Sequence, residues 1–136
     1  MSAIVPDALH FIDGSWVKGD PYILRAFDHA TWLMGGVFDG ARAFEGVTPD
    51  LDLHCQRAVR SARNMGLASP LSAGEIQEIV LDGVAKFPRG TALYIRPFLW
   101  STAGWMQPDP ASTKIAISLT ATPMPEPKPF RVTLSR

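Results

Sequence analysis

Two stretches that alternate like β-strands, residues 37–44 and 94–97, each set an arginine beside aromatic residues. This limits the fold. A guanidinium is always charged, so a strand carrying one must leave that face open or supply a partner for it. The first stretch also contains Gly40, where a missing side chain lets a ligand or another segment approach the backbone closely. Two such strands in one small domain point to a wall of a site for carboxylate or phosphate. A guanidinium grips either group through two parallel hydrogen bonds.

The remaining periodicities surround these strands with others and with two helices. Residues 10–12 and 15–17 flank Asp13-Gly14, the dipeptide favoured in a two-residue hairpin turn. Residues 22–27 read as a short strand, 28–36 as irregular, and 38–47 as one strand containing Gly40 and Gly46. Leu51, Cys55, Ala58, Val59, Ala62 and Met65 recur at helical spacing, which predicts an amphipathic helix over 51–67 with Gly66 as its stop. Arg57, Arg60 and Arg63 lie off that apolar stripe. Ser72 and Glu75 form a capping box that opens a second helix, with Ile76, Ile79, Val80 and Val84 facing inward. Residues 91–100 and 114–122 read as strands. The fold class expected is α+β, a sheet packed with two main helices.

The segment 123–129 has proline at every second position, which removes amide donors and keeps the path extended. It divides the chain into a domain over 1–122, a linker over 123–129, and a strand over 130–136 that opens a further, truncated domain. Thirteen basic and thirteen acidic residues cancel, which argues against nucleic-acid binding through bulk charge. The lone Cys55 excludes an internal disulfide and fits a reducing, cytoplasmic setting. Residues 1–11 lack the pattern of a signal peptide, and no apolar run approaches the roughly 18 residues of a membrane span. His10, His29, His54 and Cys55 show no metal-ligand spacing, and His29 reads as a turn residue behind Asp28. The segment between Trp100 and Trp105 reads as packing rather than a lid.

Four motifs in order carry a family resemblance: Phe11-Ile12-Asp13-Gly14, the run from Val37 to Phe44, the helix segment from Leu53 to Ala62, and Tyr94-Ile95-Arg96-Pro97. Together they resemble the amino-terminal small domain of the class IV (fold-type IV) pyridoxal-phosphate-dependent enzymes, which include branched-chain and D-amino-acid aminotransferases and aminodeoxychorismate lyase. The resemblance implies that Arg57 binds the cofactor phosphate. It implies that Phe38, Gly40 and Arg42 line the substrate pocket, and that Tyr94 and Arg96 clamp a substrate carboxylate. The reaction implied is amino transfer between an amino acid and a 2-oxo acid in a homodimer. The alternatives are lyase chemistry and a non-catalytic module that binds an anion or a partner. The Schiff-base lysine is expected beyond Arg136, so no residue of this chain is assigned a catalytic role and the chain alone is expected to be inactive. Asp39 and Phe44 stand where the family pattern has glutamate and tyrosine, and Leu33 stands in place of a second tyrosine. These departures point to a variant specificity.

Overall fold

A computed structural model describes residues 7–134. Strands β1 (Ala8–Ile12) and β2 (Ser15–Lys18) form the expected hairpin, with Asp13 and Gly14 at φ 48° and 83° as a type I′ turn requires. A short helix α1 (His29–Leu33) follows, then β3 (Gly36–Phe38) and β4 (Ala41–Ala43). Helices α2 (Leu51–Asn64) and α3 (Ala73–Ala85) lead into the long strands β5 (Leu93–Ser101) and β6 (Thr113–Ala121). The strands make one antiparallel sheet in the order β2-β1-β6-β5, with β3 and β4 both lying along the far edge of β5. The α+β expectation holds. No described helix is long and apolar enough to cross a membrane.

Both main helices are terminated as their sequences dictate. The Gly66 amide donates to the Arg63 carbonyl at 3.0 Å and the Leu67 amide to the Ala62 carbonyl at 2.9 Å, closing α2 in a Schellman motif around Gly66 at φ 75°. At the start of α3, the Glu75 amide donates to Ser72 Oγ and the Ser72 amide donates back to Glu75 Oε2 at 2.7 Å. The apolar stripes of α2 and α3 cover one sheet face, where Leu51, Cys55, Ile76, Val80, Leu93, Ile95 and Leu119 form the main core. The other face carries Tyr94, Arg96, Phe98 and Trp100 from β5. Around Trp100 it is packed by Ala30 and Ile23. Around Tyr94 and Arg96 it carries half-buried polar groups.

Four expectations need correction. The strand over 22–27 does not form, because the Asp28 carboxylate takes the Arg25 amide at 3.1 Å and so removes a ladder donor. The irregular stretch after it contains α1. The strand over 38–47 is broken into β3 and β4, although both pair with β5 in one continuous register, Phe38 opposite Phe98 and Ala41 opposite Ile95. The break falls opposite Pro97: the Asp39 amide donates to the Pro97 carbonyl at 3.1 Å, but proline has no amide to return the bond. Finally, 130–134 carries no strand pairing among the described residues; Ser135 and Arg136 lie outside them.

Candidate functional site

The continuous register of β3 and β4 along β5 sorts the predicted site residues onto faces. Directly opposed residues of an antiparallel pair share a face. Phe38 opposes Phe98 and Arg42 opposes Tyr94, so Phe38, Arg42, Tyr94 and Arg96 all lie on the face away from α2 and α3. Gly40 falls on the same face opposite Arg96 by continuation of that register. A Cβ at Gly40 would sit 2.7 Å from the Tyr94 hydroxyl, so the glycine is the notch into which the tyrosine's polar end fits.

Arg96 is held by aromatic rings. Its guanidinium carbon lies 4.5 Å from the centroid of Phe38 and 5.3 Å from that of Phe98. Among the described residues no carboxylate pairs with it. Phe38 itself is 57% exposed and so does not belong to the core. Across β6, Ser118 opposes Arg96 and bonds His10 Nδ1 at 2.8 Å. His10 Nε2 donates to the Gly19 carbonyl at 2.9 Å, since a carbonyl only accepts.

Arg42 is partly committed elsewhere. Its Nη2 donates to the Thr122 carbonyl at 2.6 Å and to Met124 Sδ at 3.1 Å, tying β4 to the start of the proline-rich segment. Its Nε is buried without a partner.

Arg57 approaches from the helix layer. Residue 39 alternates with Phe38 and Gly40 and so points toward α2. There its buried carboxylate accepts from Arg57 Nε at 2.6 Å (to Oδ2) and from Arg57 Nη2 at 2.8 Å (to Oδ1). His54, one turn before Arg57, reaches Asp39 Oδ1 at 2.8 Å through Nδ1, which also lies 3.1 Å from Arg57 Nη2. Burial pushes the Asp39 carboxyl upward, but hydrogen bonds from Arg57 and His54 outweigh it and hold the group below the usual aspartate range. The Arg57 side chain keeps 54% of its surface exposed.

Sequence reasoning missed this cluster and a second one. The H-x-x-R spacing on α2 was a usable signal, since residues three apart on a helix are neighbours. The second cluster is the buried Asp28 carboxylate, which accepts from Arg25 Nε at 3.0 Å and Trp100 Nε1 at 3.3 Å. His29 is not a turn residue; it opens α1, is buried, and has Nε2 3.2 Å from the Trp105 carbonyl. Trp100 packs as expected at 2% exposure, whereas Trp105 stands 84% exposed. Burial, then the carboxylates of Asp39 and Asp52, pushes the Cys55 thiol up to about 11, which leaves it unreactive. Lys86 and Lys114 occupy surface ion pairs with Asp82 and Asp13. A hollow of about 520 Å³ between residues 43–48 and the end of α3 touches none of the six predicted site residues.

The fold has known counterparts. A crystal structure of an aminotransferase from Brucella abortus bound to the co-factor PLP matches 90% of this chain at 47% identity and a TM-score of 0.87, with 45% of that protein covered. The branched-chain aminotransferase of Thermoproteus uzoniensis, solved with norvaline, matches 87% at 26% identity and a TM-score of 0.69, with 41% covered. A Methanocaldococcus jannaschii protein named as a branched-chain-amino-acid aminotransferase is 31% identical over 116 residues, 85% of this chain and 40% of its own length. The chain thus spans less than half the length of these relatives. The model of the amino-transferase class IV family matches residues 36–136, from β3 through β6 and past it, and the chain belongs to that family.

Proposed function

We infer that this chain forms the small-domain side of a pyridoxal-phosphate-dependent site that moves an amino group between an amino acid and a 2-oxo acid. One observation carries the reading. The Arg96 guanidinium lies against the rings of Phe38 and Phe98 with no carboxylate partner among the described residues, two residues from a tyrosine hydroxyl seated over Gly40. A cation prepared in this way, beside apolar rings, suits a substrate that has a carboxylate at one end and a hydrocarbon at the other.

The residues fit the cofactor's phosphate at Arg57. Of the five guanidinium donors, the one on Nε and one on Nη2 bond Asp39, and the two on Nη1 have no partner among the described residues. When bound, the cofactor supplies the electron sink of the reaction. This chain's residues bind and orient from two sides of the sheet edge: Arg57, on the helix side beside the break between β3 and β4, takes the phosphate, and Tyr94 and Arg96, on the opposite face, take the substrate carboxylate, with Phe38 shielding that ion pair from water. Arg42, through Thr122 and Met124, fixes where the proline-rich segment leaves the sheet. The exposed Phe27, Trp32 and Trp105, which line one hollow, support a homodimer, because clustered surface hydrocarbon marks protein contacts.

The test uses the complete gene product that contains these residues, supplied with pyridoxal phosphate, a panel of amino-acid donors and a 2-oxo acid acceptor. Transamination of at least one donor is expected, with Arg96→Ala raising that donor's KM at least tenfold. An unchanged KM removes the carboxylate clamp, and no transfer with any donor removes the reaction.

A further inference from the structure

We propose that Asp39 is a positioning residue that holds one edge of the Arg57 guanidinium and thereby aims the other edge, Nη1, at the cofactor phosphate. This rests on the reading that Arg57 binds that phosphate.

The geometry is that of a clamp rather than a surface ion pair. Both Asp39 oxygens are used, each by a different nitrogen of Arg57, so the plane of the guanidinium is fixed as well as its position. The carboxylate is itself fixed. It is 4% exposed, its own amide is bonded to the Pro97 carbonyl, and β3 and β4 hold the backbone on either side in register with β5. His54 adds a second contact to Oδ1 from the preceding turn of α2. Strand and helix therefore both constrain a side chain that is otherwise half in solvent. An unclamped arginine loses side-chain entropy when it binds an anion, and the clamp removes part of that cost beforehand.

The clamp also has an electrostatic cost, and this makes the proposal testable. Asp39 is a negative charge close to where a phosphate dianion would sit. On charge alone, neutralising it strengthens phosphate binding. If its role is to orient Arg57, neutralising it weakens binding. The two effects have opposite signs.

The experiment measures pyridoxal phosphate affinity by titration of the apo form of the complete gene product, with Asp39→Asn, Asp39→Glu and Arg57→Ala as variants and pyridoxal, which lacks the phosphate, as a control ligand. Asp39→Asn is expected to raise Kd for pyridoxal phosphate on the order of tenfold, the scale of lost outer-shell partners. Affinity for pyridoxal should stay unchanged, and Asp39→Glu should recover most of the loss. Equal or tighter binding of pyridoxal phosphate by Asp39→Asn overturns the proposal. If Arg57→Ala weakens binding and Asp39→Asn does not, only the positioning role falls. If Arg57→Ala has no effect, the phosphate assignment falls and the positioning role with it. A measurement on the unmutated protein does not depend on any variant folding. The Arg57 Nε–H resonance is expected to exchange slowly and to persist when pyridoxal phosphate binds; its loss on binding shows the phosphate displacing Asp39 and overturns the proposal.

Discussion

The Tyr94 hydroxyl occupies the space that a side chain at Gly40 would need, 2.7 Å from the position of its Cβ. The ring carbons Cε2 and Cζ lie only 3.1 and 3.3 Å from the same point, so the whole outer end of the ring would have to move. Gly40→Ala is therefore expected to lift Tyr94 off β4 and away from its place beside Arg96. Overpacking of this kind costs about 1–3 kcal/mol. Urea unfolding should register the loss of stability, and the KM of the carboxylate substrate should rise with it. A variant that keeps both unchanged would show that the tyrosine's seat is not set by the glycine.

Gly83 has a comparable relationship to Trp16. A Cβ on this α3 residue would lie 2.4 Å from Trp16 Cη2 and 3.0 Å from Leu119 Cδ2. Replacing glycine by alanine within a helix normally gains about 1 kcal/mol. Here the gain opposes a clash against a tryptophan whose indole nitrogen is bonded to Asp82 at 2.8 Å, on the same helix. Overpacking is the larger effect at about 1–3 kcal/mol. Gly83→Ala should therefore be less stable than the parent in chemical denaturation, with altered tryptophan fluorescence as the β1–β2 hairpin shifts. A more stable variant would mean that Trp16 swings aside freely.

What the sequence disclosed was mostly local. The Asp13-Gly14 turn, the Ser72–Glu75 capping box and the Gly66 stop each depend on residues within a few positions of one another, and all three stand in the structure. The alternation of Phe38, Arg42, Tyr94 and Arg96 likewise placed them on shared faces, because strand period needs no knowledge of the partner strand. The break at Asp39 was not legible in the same way. It depends on Pro97, 58 positions away in sequence, coming to lie opposite a strand edge. The same holds for the contacts that engage Arg42 and Arg57, whose partners Thr122 and Asp39 are distant in sequence. The stretch around Asp28 misled because its apolar residues suggested a strand, while a single carboxylate reorganised the backbone around itself.

Asp39 and Asp28 together set an acid limb to stability. In each, burial works to raise the pKa and is outweighed by hydrogen bonds to the ionised form: Arg57 and His54 for Asp39, the Arg25 amide and side chain and then Trp100 for Asp28. The folded pKa of each is thus below its unfolded value of about 3.9. A group depressed in this way contributes stability above the unfolded pKa and loses it as pH falls through the folded value, because the unfolded chain takes up the proton first. Unfolding free energy measured by urea titration should be flat near neutrality and fall below about pH 4. Asp39→Asn and Asp28→Asn should each lower stability at pH 7 and flatten the decline below pH 4, since neither asparagine has a proton to take up. An acid limb of unchanged slope in both variants would assign the loss to other carboxylates, such as Glu75 and Asp82, whose pKa values are also lowered by their hydrogen bonds to Ser72 and to Trp16 and Lys86.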